Sequence, residues 1–218
     1  MRLPTITDHI IALDPGDEIV LRHRTWADYE DLIDRRGDRA GFRVSYSSAK
    51  QELRLMSPLP EHGKNANLLA NFVRVLLEST GQDWEAFTPI TLKLPPLQGV
   101  EPDFCYYIQN RNQIIGKRRI DLTVDPPPDL MIEVDLTSRT DPADYQAIAV
   151  PELWIYRQNQ LLIYVWDGQQ YQESATSPQF PNVDVTTLIP HYCDRGWQVG
   201  SSVAIREFEQ ALDPHDPG

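Results

Sequence analysis

Lysine is nearly absent from this 218-residue chain: Lys50, Lys64, Lys93 and Lys117 are all there are, and none follows position 117. Cysteine is scarcer still, with Cys105 and Cys193 alone. Two such distant cysteines make neither a disulfide framework nor a zinc-binding spacing. Positive charge is in deficit, with 20 basic against 32 acidic side chains and a formal net charge of −12. A surface this negative repels phosphate backbones on average, so non-specific nucleic-acid binding is expected to be weak and salt-sensitive. Long apolar runs are missing as well. None approaches the roughly 20 residues of a membrane span, and no charged-then-apolar leader opens the sequence. The expected address is a reducing cytoplasm, with no membrane partner. Gly-rich phosphate loops, nucleophile elbows and Walker patterns are also absent.

What is present reads as one folded unit. Residues 1–17 lack periodicity and are expected to form an extended arm, and 18–218 a single domain. The 18 prolines fall mainly between periodic segments, which predicts many short elements. "TWADYEDLIDRRG" predicts a helix with Thr25 as N-cap, Asp28 three residues on and Gly37 as the stop. "FRVSYSS" and "QELRLMS" predict a hairpin turning near Ala49-Lys50. "PEHGKNANLLANFVRVLLESTG" is the clearest helix: Leu69, Phe72, Val73 and Leu76 form one stripe, and Pro60 suits its first turn. Traced backwards, that face passes Asn65 and then Glu61 or His62. "WEAFTPITLKLP", "VEPDFCYYI" and "PDLMIEVDLT" predict three strands, and "ELWIYRQNQLLIYVWDGQQYQES" an aromatic hairpin with a third pass. The C-terminal third holds "VDVTTLI" and a helix over "SVAIREFEQAL". The order helix, hairpin, helix, strands, helix, strands, helix favours an α/β or α+β sandwich around one sheet.

Carboxylates interrupt two of these strands. Alternation puts Met131, Glu133 and Asp135 on one face, with the two acids about 7 Å apart at a rise of ~3.3 Å per residue. By the same count Glu101, Asp103 and Cys105 share a face of the preceding strand. Neighbouring strands would then aim Asp103 and Glu133 at one point. Carboxylates so placed repel unless one takes a proton or a cation intervenes. A hard divalent ion with oxygen ligands is the usual remedy, and metal-assisted phosphodiester hydrolysis is the chemistry such a group suits. The plainer alternative makes Asp103 and Asp129 turn residues after prolines, with Glu133 and Asp135 paired to arginines at a sheet end.

The segments "VEPDFCYYI", "PPDLMIEVDLTS" and "YQAIAVPELWIY", with "MSPLPEHGKNANLLANFV", resemble the signature segments of the Uma2 family of restriction-endonuclease-like proteins, over roughly residues 18–170. That family is placed in the PD-(D/E)XK nuclease superfamily. The resemblance implies a central mixed β-sheet flanked by helices, a DNA substrate and a Mg2+ ion held by Asp103 and Glu133. It matches His62 to the family's histidine ahead of the long helix and allows Glu61 and Asp135 supporting roles at the metal site. Many such nucleases work as symmetric dimers, so a homodimer is allowed, with the aromatic hairpin as its surface. One departure stands out. The motif's lysine position, two residues after Glu133, holds Asp135, and no lysine follows it to take over. Arg139 is the nearest cation in sequence, and Lys64 is another candidate from the helix. The missing lysine keeps a second reading open, a catalytically inactive binding or assembly module on the nuclease scaffold.

Overall fold

The computed structural model describes residues 13–37, 41–137 and 139–212. Most of the arm expected at 1–17 therefore lies outside the described residues. Two sheets, rather than the one expected, organise the chain. The first is five-stranded and antiparallel, built from β1 (Glu18–Arg22), β2 (Arg43–Ser47), β3 (Glu52–Met56), β5 (Leu92–Leu94) and β6 (Gln98–Val100) in the order β1-β3-β2-β6-β5. The second is mixed. It takes β4 (Glu85–Phe87), β7 (Phe104–Tyr107), β8 (Leu130–Asp135), β9 (Glu152–Arg157), β10 (Gln160–Trp166) and β11 (Tyr171–Ser174) in the order β11-β10-β9-β8-β7-β4. Only the central pair β8–β9 runs parallel.

Local chemistry sets the helices. Helix α1 (Trp26–Arg36) opens on a capping box: Asp28 N–H donates to Thr25 Oγ1, and the Asp28 carboxylate accepts from Thr25 N–H at 2.8 Å. Its buried Tyr29 and Leu32 pack on Val44, Tyr46, Leu53 and Leu55 of the first sheet. Gly99 of β6 passes so close beneath that an added Cβ would lie 2.3 Å from Tyr29 Cζ, a contact only glycine avoids. Helix α2 (Pro60–Ser79) starts with proline at its first turn and buries Leu69, Phe72, Val73 and Leu76 against the second sheet. Helices α3 (Val185–Val199) and α4 (Ser201–Leu212) cover the same face. The segment "VDVTTLI" opens α3, with Asp184 accepting from Thr187 N–H at 3.1 Å as its cap. The helix expected between the two groups of strands is only a 3-10 turn, Pro142–Tyr145, linking parallel β8 and β9. Among the described residues no helix is long and apolar enough to cross a membrane.

The chain passes between the sheets twice, and these passages place the site. The segment expected as one strand splits at Thr88-Pro89, leaving β4 in the second sheet and β5 in the first. Glu101-Pro102-Asp103 then carries the chain back from β6 to β7. Proline has no N–H for a ladder, so both breaks fall where pairing ends. Glu101 and Asp103 consequently do not share a strand face. Glu101 lies in the passage and bonds Arg36 Nη1 at 2.6 Å, Thr91 Oγ1 at 2.6 Å and Val44 N–H at 2.8 Å.

Candidate functional site

Strand β8 is buried along its whole length. Leu130, Ile132 and Val134 enter the helix-covered core, while Met131 faces the opposite apolar layer with Cys105 and Tyr145. Glu133 belongs to this second face, as the alternation predicts. The β7–β8 register pairs Phe104 with Ile132, so Asp103, one residue ahead of β7, falls beside Glu133. The Asp103 side chain is fully buried, and its Oδ2 accepts the Val134 N–H at 2.8 Å.

Two side chains, from β2 and α2, meet Asp103. Arg43, the first residue of β2, sets its guanidinium against Oδ1. His62, in the first turn of α2, brings Nε2 to 3.2 Å from Oδ2 without an aligned hydrogen bond. Burial alone would raise the Asp103 carboxyl, but His62 and Arg43 outweigh it and hold it below the ordinary carboxylate value. Glu133 behaves in the opposite way. Burial first, and the charge of Asp103 second, push its carboxyl up to about 8. The Tyr145 hydroxyl, from the 3-10 turn, donates to Glu133 Oε1. Arg43 is the positive charge that pulls on both acids.

The expected site residues divide accordingly. Asp103, Glu133 and His62 come together. Asp135 sits at the end of β8 opposite Arg157 of β9. It accepts from Arg157 Nε at 2.9 Å, Thr140 N–H at 2.9 Å and Thr140 Oγ1 at 2.6 Å. Those bonds make it a tie for the loop after β8, as the arginine-pairing alternative holds. Glu61 is exposed, outside the buried group. Lys64 turns away, its Nζ lying 3.7 Å from the centre of the Trp197 ring on α3. Asp129 is a turn residue, accepting from the N–H groups of Ile108 and Asn110 at 2.6 and 3.0 Å.

Glu133 lines a small, half-open cleft between the sheets, walled also by Arg43, Arg54, Asp135, Thr140 and Tyr145. A neighbouring hollow shares Arg54, Thr140 and Tyr145 and adds Lys50 and Arg139. Lys50, at the hairpin turn, ion-pairs with Asp141 and Asp144 at 2.7 Å each. Arg43 and Tyr145 are the partners of Asp103 and Glu133 that the sequence pattern does not reveal. Alternation in "FRVSYSS" does put Arg43 on the polar side of its strand, but nothing local says that this side faces Asp103.

Among the described residues no group of three or more His, Cys, Asp or Glu side chains is arranged to hold a metal ion. No curated protein matches the chain. A solved structure described as "a putative nuclease belonging to DUF820 from Anabaena variabilis ATCC 29413" superposes with a TM-score of 0.51 at 11% sequence identity. The match covers 87% of this chain and 99% of that one, and the shared fold is restriction-endonuclease-like. The sequence model of a family described as "Putative restriction endonuclease" matches residues 26–194, including α1, the hairpin and every residue of the Asp103–Glu133 site. With well over half of its length matched, the chain belongs to that family, Uma2.

Proposed function

We propose that this protein is a nuclease that hydrolyses phosphodiester bonds of DNA with the help of Mg2+. The observation that carries the reading is the register that sets Asp103, buried just ahead of β7, beside Glu133 of β8, which lines a cleft between the sheets. Family membership and the neighbour's description point the same way.

The donor set fits the ion. Magnesium takes oxygen ligands, uses one or two carboxylates and keeps several waters, so two acids suffice. Asp103 Oδ1 is buried and holds no aligned hydrogen bond, its charge met by Arg43. Asp103 and Glu133 would hold the ion. When bound, such an ion lowers the pKa of a coordinated water and offsets charge gathering on the phosphoryl oxygens. The protein's own groups do the positioning: Val134 N–H and His62 fix Asp103, and the Tyr145 hydroxyl fixes Glu133. Arg54, whose Nη1 donates to Glu18 at 2.6 Å, lines the same cleft. Cutting both strands of a duplex with one such site per chain calls for two copies, so the reading includes a cytoplasmic homodimer.

A second reading, a non-catalytic binding or assembly module, is supported by the absent lysine and by the partners each acid already has: Arg43, Tyr145 and Arg157. Incubation with supercoiled plasmid in millimolar Mg2+ separates the two. The nuclease reading expects nicking or linearisation that Asp103→Ala and Glu133→Ala each abolish. Wild-type protein that leaves the plasmid intact with Mg2+ and with Mn2+, or cleavage that survives both substitutions, rejects it in favour of the module.

A further inference from the structure

We propose that Arg43 is a built-in counter-ion for Asp103, and that a divalent cation enters this site only by displacing its guanidinium. The inference rests on the reading of Asp103 and Glu133 as the metal-binding pair. It concerns what guards that pair.

Three observations carry it. First, the Asp103 side chain has no exposure at all, so water cannot satisfy its charge. A buried carboxylate of this kind needs a cation beside it. Among the described residues the permanently charged group in contact with it is Arg43. His62 faces the other oxygen. Second, Arg43 comes from the opposite sheet. It is the first residue of β2, paired with Met56, and reaches across the cleft to an acid of the second sheet. A side chain that bridges two sheets in this way owes its position to the charge it meets. Third, the guanidinium has somewhere to go. Arg43 is 28% exposed, and it lines both the Glu133 cleft and a larger groove bounded by Ile33, Phe42, Pro58, Glu101 and Arg119. The acid is locked in place while the cation has an exit.

The two cations therefore compete for one carboxylate. Removing Arg43 leaves Asp103 buried without its permanent partner, which weakens the fold and favours any other cation that fills the gap. Binding to the folded form alone then appears as restored stability. The neighbouring acids at either side have closer partners of their own. Glu101 is already paired with Arg36, and Asp135 with Arg157.

The test titrates Mn2+ into full-length wild type, Arg43→Gln and Arg43→Gln/Asp103→Asn, reading free Mn2+ by electron paramagnetic resonance and unfolding by thermal melts. Arg43→Gln should bind Mn2+ at least about tenfold more tightly than wild type, a difference of roughly 1.4 kcal/mol. Its melting temperature, lowered without metal, should climb back as Mn2+ is added. The double variant should lose both effects. Equal affinity in wild type and Arg43→Gln, or tight binding that persists in the double variant, overturns the proposal. If wild type binds through Asp103 yet Arg43→Gln binds no better, Arg43 fails as a guard while the metal centre stands. If neither protein binds Mn2+, both fall. Tighter binding by Arg43→Gln with no cleavage by any variant upholds Arg43 and rejects the nuclease. Should Arg43→Gln not fold, Arg43→Lys keeps the charge on a shorter, thinner head. An affinity above wild type is then expected, and an unchanged one refutes the idea.

Discussion

Asp135 and Glu133 occupy the same face of β8, yet their surroundings give them opposite tasks. Glu133 looks into the cleft and meets a hydroxyl, whereas Asp135 lies at the strand end and meets a guanidinium and both hydrogen-bond donors of Thr140. The Asp135 side chain is 2% exposed and that of Arg157 19%, so the two halves of this pair are not equivalent. Arg157→Ala strands a buried charge and should cost about 3 kcal/mol. Asp135→Ala leaves a guanidinium that can lean towards solvent, and should cost less. Combining the two should cost no more than Arg157→Ala alone, because the uncompensated charge is gone. Urea unfolding of the three variants measures this, and strictly additive losses would refute the pairing. At this scale the sequence carried the acids but not their partners. Alternation along "LMIEVD" gives the face of each carboxylate, because side-chain direction in a strand is a local property. It cannot give Arg43, which lies far upstream on another sheet, or Tyr145, which a turn without helical periodicity brings back.

Elements were legible where their ends carry chemistry. Helix α1 was readable from Thr25, Asp28 and Gly37 because capping is a contact between near neighbours. It also titrates. The N–H of Thr25, hydrogen-bonded to the Asp28 carboxylate, is the main reason that this carboxyl sits below its ordinary value of 3.8. A lowered folded-state value means the unfolded chain binds the proton more readily, so the cap stabilises above the ordinary value and its contribution fades as pH falls through the folded-state one. Asp28→Ala should therefore cost about 1 kcal/mol at neutral pH. The gap between variant and wild type should narrow in acid, as denaturant midpoints at both pH values would reveal. A gap independent of pH would mean that the carboxylate is not the active part of the cap. Helix α3 shows why other elements stayed hidden. Its first residues are β-branched and Pro190 lies within it, and both features argue against a helix locally. Burial of Val185, Ile189 and Cys193 at four-residue intervals against the second sheet overrides them.

The division into two sheets is a property of the whole molecule, decided where the chain passes between layers. No strand of three residues advertises which sheet it will join, so β5 and β6 could not be assigned from their own composition. The passage at Glu101-Pro102-Asp103 settles it, and Glu101 is its anchor. One carboxylate there accepts from Arg36 of α1, from Val44 N–H of β2 and from Thr91 just ahead of β5. The Arg36 and Glu101 side chains are 12% and 9% exposed, so the pair is shielded from water. Glu101→Ala would leave Arg36 without its counter-charge and the Val44 amide without its acceptor. A loss of 3 kcal/mol or more is expected, roughly that of breaking a buried ion pair. Because the next residues set Asp103 beside Glu133, the loss should not stay local. Hydrogen exchange should accelerate at Val44 and at Val134, whose N–H is held by Asp103 itself. Glu101→Gln keeps an oxygen acceptor but not the charge, and should fall between alanine and wild type. If Glu101→Ala melts like wild type, or if Val134 keeps its protection while Val44 loses it, then the passage is not what couples the first sheet to the site, and Asp103 is held by its own partners Arg43, His62 and Val134 N–H.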